Sequence, residues 1–370
     1  MRKIGIVTLN GYFNYGNRLQ NYALQEALKS FDYEVETVWV KVPAKKRENK
    51  MKRVVKIIFK PTRVVKKVKS KIFPDKNKAQ RMEKFKQFSN KYISETDYSI
   101  SENYLPEELL NEFDYFVTGS DQVWNPFYIR GSSLFFLSFA AKEKRISYAA
   151  SFGISSIPEE HLENYTEWIS EMEHISVREE DGAEIVKQLT NREVPVVVDP
   201  TLLLTKEDWL VITKSAKNKP KKDILLTYFL GEIPKEVQSK IKKYKKKYNL
   251  KIVNLADPKQ RKHYVTDPAE FLDYIYSAKL FFTDSFHGAV FSILFETPFV
   301  VTNRKSKTPS MNSRIETLLS TFKLESRHIK TINKEEILDV DFSHTYDILT
   351  RERNRAFEYL MNSIKFKSKK

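Results

Sequence analysis

The chain has 370 residues, 41% of them hydrophobic and 30% charged, with no cysteine and a formal net charge of +16. Such a length points to two domains, and the composition is that of a folded globular protein rather than a disordered one. The lack of cysteine excludes disulfides, thiolate metal sites and cysteine nucleophiles, and no apolar run is long enough to span a bilayer.

The opening MRKIGIVTLN reads as a buried strand over Ile4–Val7 and not as a secretory peptide, so a cytoplasmic protein is expected. The turn that follows packs Asn10, Gly11, Asn14, Gly16 and Asn17 into eight residues. Gly and Asn accept left-handed backbone and let the chain approach a ligand closely. Asn14 and Asn17 are therefore candidate ligand contacts at the start of a helix over Leu19–Leu28. The spacing is not that of a dinucleotide-binding G-x-G-x-x-G, and a plain Asn-capped loop is the alternative. A second strand is expected over Glu34–Val40.

Residues 41–78 then hold sixteen Lys or Arg against two acids, Glu48 and Asp75, and so carry most of the net charge. Within them, 45–73 interleaves cations with Val and Ile, and Pro61 divides it into two short helices. A basic amphipathic stretch of this kind suits peripheral contact with an anionic membrane, at about 1 kcal/mol per cation. With only Phe59 and Phe73 to stack on bases, nucleic acid is not the expected partner. The alternative is a solvated charged excursion.

Beyond it, a helix near 82–92 leads to a strand over 113–117 and the segment GSDQVWNP (119–126). Asp121 and Gln122 are candidates for acid–base work or for bonding acceptor hydroxyls. Trp124 offers a flat apolar face of the kind sugar rings pack against. The competing reading makes Asp121 a helix cap and Trp124 a core residue. A strand over 146–150 ends in Ser151, Phe152 and Gly153, small enough for a ligand to approach the backbone. After a helix over 159–172, Ile175–Val177 leads to Arg178, whose guanidinium fork suits carboxylate or phosphate unless Glu179, Glu180 or Asp181 claims it. Val194–Val198 closes this series before Asp199 and Pro200.

A second series runs from 224 to 301, with strands at 224–230, 252–255, 280–282 and 299–301 and helices at 235–248, 269–276 and 286–295. Strands alternating with helices in this way predict parallel sheets covered on both faces. The chain thus divides into two Rossmann-like domains, 1–204 (with the insertion 41–78) and 205–345, followed by a C-terminal helix in 346–370. The segment TDSFHGAVFSILF (283–295) places Ser285, His287 and Gly288 at the carboxyl end of a strand and the foot of a helix, where ligands bind in open α/β sheets and anions are favoured. A histidine there holds a phosphate or moves a proton, or else only caps and packs locally. Arg304 and Arg314 add cations nearby. The histidines show no metal-binding spacing, the acids no calcium-loop spacing and the serines no nucleophile elbow. Neither a metal nor a bound cofactor is expected.

The blocks NYGNRLQNYALQ (14–25), FDYFVTGSDQVWNP (113–126), SYAASFG (147–153), SVREEDG (176–182), VVDPTLLL (197–204), TDSFHGAVFSILFETPFV (283–300) and NSRIETLL (312–319), in this order, resemble the polysaccharide pyruvyl transferase family. The resemblance implies two Rossmann-like domains facing a central cleft, the GT-B glycosyltransferase arrangement. It implies transfer of pyruvate from phosphoenolpyruvate, a co-substrate, onto a sugar of a cell-surface polysaccharide or its lipid-linked precursor, giving a pyruvate ketal. A cytoplasmic site at the inner membrane face would fit such an acceptor. His287 and Asp121 are then the expected catalytic groups. Arg178, Ser285, His287, Gly288 and Arg314 would bind the donor, and Asn14, Asn17, Gln122, Trp124 and Ser151 the acceptor. The family pattern has arginine shortly before the histidine, as in Arg-Leu-His; this chain reads Ser285-Phe286-His287, leaving Arg304 or Arg314 as the replacement. A nucleotide-sugar glycosyltransferase of the same architecture is the competing reading.

Overall fold

A computed structural model describes residues 2–41, 76–129, 131–220, 223–304, 312–332 and 337–364. The basic stretch 45–73, and with it the expected membrane contact, lies outside the described residues. Strands β1 (Lys3–Val7), β2 (Glu34–Val40), β3 (Glu95–Ile100), β4 (Tyr115–Asp121) and β5 (Arg145–Ala150) form an all-parallel sheet of order β3-β2-β1-β4-β5. The order reverses between β1 and β4, so that their carboxyl ends open a crevice. A second parallel sheet of order β7-β6-β8-β9 comprises β6 (Ile224–Tyr228), β7 (Lys251–Asn254), β8 (Leu280–Thr283) and β9 (Phe299–Val301).

The fold is thus α/β, with two Rossmann-like sheets whose carboxyl ends both contribute to one cleft. The expected strands at 175–177 and 194–198 shrink to single bridges, Ala150 to Val177 and Val177 to Val196, which extend the first sheet beyond β5. The expected strand at 113–117 is shifted: Phe113 is core packing, and β4 continues to Asp121. Strand β3 was not legible. Its sequence ETDYSI buries only Ile100 fully, because it forms the sheet edge.

Helix α1 (Tyr15–Lys29) starts where Asn14 accepts from the Asn17 N–H, and buries Leu19, Ala23, Leu24, Ala27 and Leu28. This helical spacing of apolar residues puts one stripe on the core. Its first residue, Tyr15, reaches into the second half: the ring stacks on Phe271 at 4.2 Å and the hydroxyl donates to the Thr266 carbonyl at 3.1 Å. Helix α2 (Lys76–Tyr92) adds Arg81, which lies over the Tyr15 and Tyr264 rings and donates to the Leu255 and Tyr264 carbonyls. One hydrophobic cluster runs through both halves. At the other end, the C-terminal helix Thr345–Ser363 returns to the first half, where Tyr359 donates to the Ser147 carbonyl and Arg353 to that of Leu202. These contacts fix how the two sheet edges face each other.

Candidate active site

The cleft holds a cavity of about 410 Å³, walled by Asn14, Asn17, Asp121 and Gln122 from the first half and by Ser285, His287, Arg304 and Arg314 from the second. Eight residues far apart in sequence thus converge; four of the sequence blocks supply seven of them, and Arg304 lies between blocks.

His287 lies in the first turn of the helix Phe286–Leu294, with Ser285 as its cap, the Ser285 hydroxyl accepting from the Gly288 N–H at 3.2 Å. The imidazole is nearly buried and packs on Gly16 of α1. A Cβ built on Gly16 would fall 1.9 Å from His287 Nδ1, so only glycine allows the ring this position. The other ring nitrogen, Nε2, faces Asp199 Oδ2 at 3.5 Å. That distance is at the limit of a hydrogen bond, and the nitrogen has no bonded partner among the described residues. Asp199 was read from sequence only as the end of a strand-like run. The structure places its carboxylate against His287.

Asp199 also accepts from Arg178 at 2.6 Å, while Arg178 reaches Asp121 at 3.4 Å. All three are buried. Burial would raise the Asp199 carboxyl pKa, but His287 and Arg178 outweigh it and hold the group well below the usual carboxylate range. Burial opposes ionisation of Asp121 in the same way and is outweighed by Arg178, His287 and Arg314. Burial likewise works against the charge of Arg178, yet Asp199, Asp121 and Glu179 keep it above the ordinary guanidinium value. Asp121 itself has φ of 65°, and its position depends on Gly119, which has φ of +125° and where a Cβ would stand 2.1 Å from the Tyr148 carbonyl oxygen.

Where the family pattern has arginine, Ser285 is spent on the helix cap. The residue beside it, Phe286, presents its ring to two guanidinium groups from elsewhere, Arg178 at 4.5 Å and Arg314 at 5.9 Å. Arg314 comes from the helix Ser313–Thr321 and touches Asp121 only at 3.8 Å. Burial, together with repulsion from Arg178, lowers its pKa to about 10. Arg304 approaches Asp284, whose carboxylate is already bonded to the Leu230 and Gly231 N–H groups. Arg304 and Arg314 both line the cavity beside the helix foot where Ser285 stands.

Other expected residues are placed differently. Arg178 sits behind Phe286 in the wall rather than in the cavity itself. Gly288 gives its N–H to Ser285 and lets the helix close on Thr283 and Phe281, a packing role. Two acceptor contacts are corrected. Trp124 is fully buried, stacked on Phe136 and donating to the Phe135 carbonyl, so it has no face for a sugar. Ser151 is also fully buried and gives its hydroxyl to Glu179, which accepts from the Phe152 and Gly153 N–H groups as well. Both are short of the cleft because the chain after β4 and β5 turns inward before it surfaces. Among the described residues, no group of three or more His, Asp or Glu is placed to hold a metal ion, and no helix is long and apolar enough to cross a membrane.

The family model for polysaccharide pyruvyl transferases matches residues 14–306. The chain belongs to that family. The match takes in every cleft residue named above except Arg314 and makes the protein a transferase. Among solved structures, this pyruvyl transferase family member is similar to a putative UDP-N-acetylglucosamine 2-epimerase from Listeria monocytogenes, with a TM-score of 0.52 and 13% identity over 99% of this chain and 98% of that one. It is similar also to the UDP-GlcNAc 2-epimerase from Neisseria meningitidis, with a TM-score of 0.50 and 10% identity over 98% of this chain and 100% of that one. At such identities the likeness is one of fold, the GT-B arrangement of two Rossmann-like domains about a cleft. No curated protein sequence matches the chain.

Proposed function

We propose that the cleft transfers pyruvate from phosphoenolpyruvate to two hydroxyls of one sugar in a cell-surface polysaccharide or its lipid-linked precursor. One observation carries the donor assignment: His287, Arg304 and Arg314 line the cavity, and their buried Nε2, Nε and Nε atoms have no hydrogen-bond partner among the described residues. Buried donors left unbonded are costly, and a small ligand rich in anionic oxygens satisfies all three. Guanidinium groups suit both carboxylate and phosphate.

The chemistry then follows in order. A proton goes to the methylene carbon of the enol, leaving a cationic centre at the carbon that bears the phosphate oxygen. One acceptor hydroxyl adds there and gives up its proton. The carbon–phosphate oxygen bond breaks, phosphate leaves with its electron pair, and the second hydroxyl adds and loses its proton. The two hydroxyl protons balance the one taken by carbon and the one taken up on phosphate release. In this reading His287 passes the first proton and Asp121 accepts one from a hydroxyl, while Arg304 and Arg314 hold the departing phosphate. The lipid-linked acceptor and a position at the inner membrane face rest on the basic stretch 45–73 of the sequence.

Arg314 separates donor binding from folding. As a poorly paired buried charge it contributes little to stability, and replacing such a group by an apolar residue of similar volume is often neutral or stabilising. The Arg314→Met protein is expected to melt at or above the parent's temperature in the absence of ligand. Phosphoenolpyruvate at a hundredfold its Kd stabilises the parent by about 2.7 kcal/mol, and Arg314→Met is expected to lose most of that. Thermal melts with and without phosphoenolpyruvate check both. An undiminished shift in the variant, or stabilisation of the parent by a nucleotide sugar and not by phosphoenolpyruvate, would overturn the donor assignment.

A further inference from the structure

The burial of Trp124 leaves the acceptor without its expected platform, and the rim of the same cavity offers another. Phe13, in the turn between β1 and α1, is 69% exposed; Phe127 and Tyr128, in the short helix Pro126–Ile129 after β4, are 46% and 41% exposed. Leu230 faces them from the second half at 45%. All four line the cavity whose inner wall carries His287 and Arg314, themselves 6% and 5% exposed. Large apolar side chains scattered singly over a surface need no explanation, but a cluster at one cavity, rimmed by polar groups, marks a ligand groove.

The polar groups decide what kind of ligand. Asn14 and Gln122 line the same cavity as the aromatic rim and the cationic wall. A pyranose ring has a face of C–H bonds, which packs on an aromatic ring, and an edge of hydroxyls, which takes side-chain amides. An alkyl chain would have no use for the amides, and an anion none for the aromatics. A cavity of about 410 Å³ is in the size range that holds a drug-sized ligand, which leaves room for a sugar beside a three-carbon phosphate.

We propose that Phe13 and Phe127 stack on a pyranose ring of the acceptor, with Asn14 and Gln122 bonded to its hydroxyls, so that the ring presents two hydroxyls inward to His287. The inward direction rests on the transferase reading; the sugar contact does not. The test uses ligand-observed saturation-transfer NMR with the octyl β-glycosides of galactose, glucose and N-acetylmannosamine below their micelle concentrations. Saturation is expected on the ring C–H protons of at least one of them. It is expected to fall by about fivefold or more, as for loss of an aromatic hot spot, in both Phe13→Ala and Phe127→Ala, and to persist in Phe13→Tyr. Both phenylalanines are solvent-facing, so the variants are expected to keep the parent's melting temperature and its phosphoenolpyruvate shift. Saturation confined to the octyl chain, ring saturation indifferent to both Ala variants, or no saturation with any of the sugars would each overturn the proposal. If phosphoenolpyruvate fails to stabilise the protein while the sugar signals behave as described, the donor reading falls and the sugar subsite stands.

Discussion

Replacing Arg178 by Ala is expected to destabilise the protein by about 3–5 kcal/mol, the cost of removing one partner from a buried ionic network. The guanidinium bonds Asp199 at 2.6 Å, reaches Asp121 at 3.4 Å and lies over the Phe286 ring. Its loss strands two carboxylates that burial already disfavours. The acid dependence should change with it. Asp199 and Asp121 both have folded pKa values below their ordinary 3.8. A depressed carboxylate contributes stability that is present above its unfolded pKa and is lost as pH falls through the folded one. The parent is therefore expected to lose stability steadily below about pH 4, and Arg178→Ala to show a shallower acid limb from a lower plateau. Urea melts from pH 7 to pH 3 read both effects. A variant as stable as the parent at pH 7 would contradict the role of Arg178 as the cation that holds Asp199 and Asp121. Arg178→Lys keeps the charge but loses the fork, and is expected to fall between the two.

His287→Gln should leave folding in place and weaken phosphoenolpyruvate binding only in part, because Arg304 and Arg314 still face the donor, and should lower kcat by about 10²–10⁴-fold, the usual contribution of a positioned acid–base group. Gly16→Ala provides an independent route to the same group. The added methyl meets His287 Nδ1 at 1.9 Å, so the ring must move, and a displacement of the order of 1 Å costs about 10²-fold. Overpacking there also costs about 1–3 kcal/mol, which a melt measures separately. Single-turnover phosphate release from both variants gives the rates. If His287→Gln turns over within a few-fold of the parent, proton transfer belongs elsewhere, with Asp121 the next group to test.

The parts of this site that were legible in the sequence share a local origin. β8 and the helix after it announce themselves because Leu280–Phe282 is apolar and Ser285 caps an apolar helical pattern, so the placement of His287 follows from a dozen adjacent residues. Asn14 and Asp121 were found for the same reason, as polar groups at the ends of apolar runs. What was hidden depends on contacts far apart in the chain. Asp199 meets His287 across the two halves, and nothing near VVDPTLLL shows that its carboxylate faces an imidazole. Gly16 looks like one more turn glycine until the ring against it is seen. Trp124 was read as a sugar platform and Phe13 was passed over, since both are aromatic residues in strand-end turns and only the fold buries one and exposes the other. The edge strand β3 escaped because an edge need not be apolar. The replacement of the family's arginine by Ser285 was visible, but not that Phe286 would cradle guanidinium groups from Arg178 and Arg314.

The central claim is pyruvyl transfer in this cleft, and product analysis tests it most directly. The full-length protein is incubated with phosphoenolpyruvate and a panel of saccharide and lipid-linked saccharide acceptors, and released phosphate and acceptor mass are measured together. The account predicts one phosphate released for each acceptor that gains pyruvic acid less water, with both signals lost in His287→Gln. Phosphate release without a change in acceptor mass, or consumption of a nucleotide sugar in place of phosphoenolpyruvate, would contradict it.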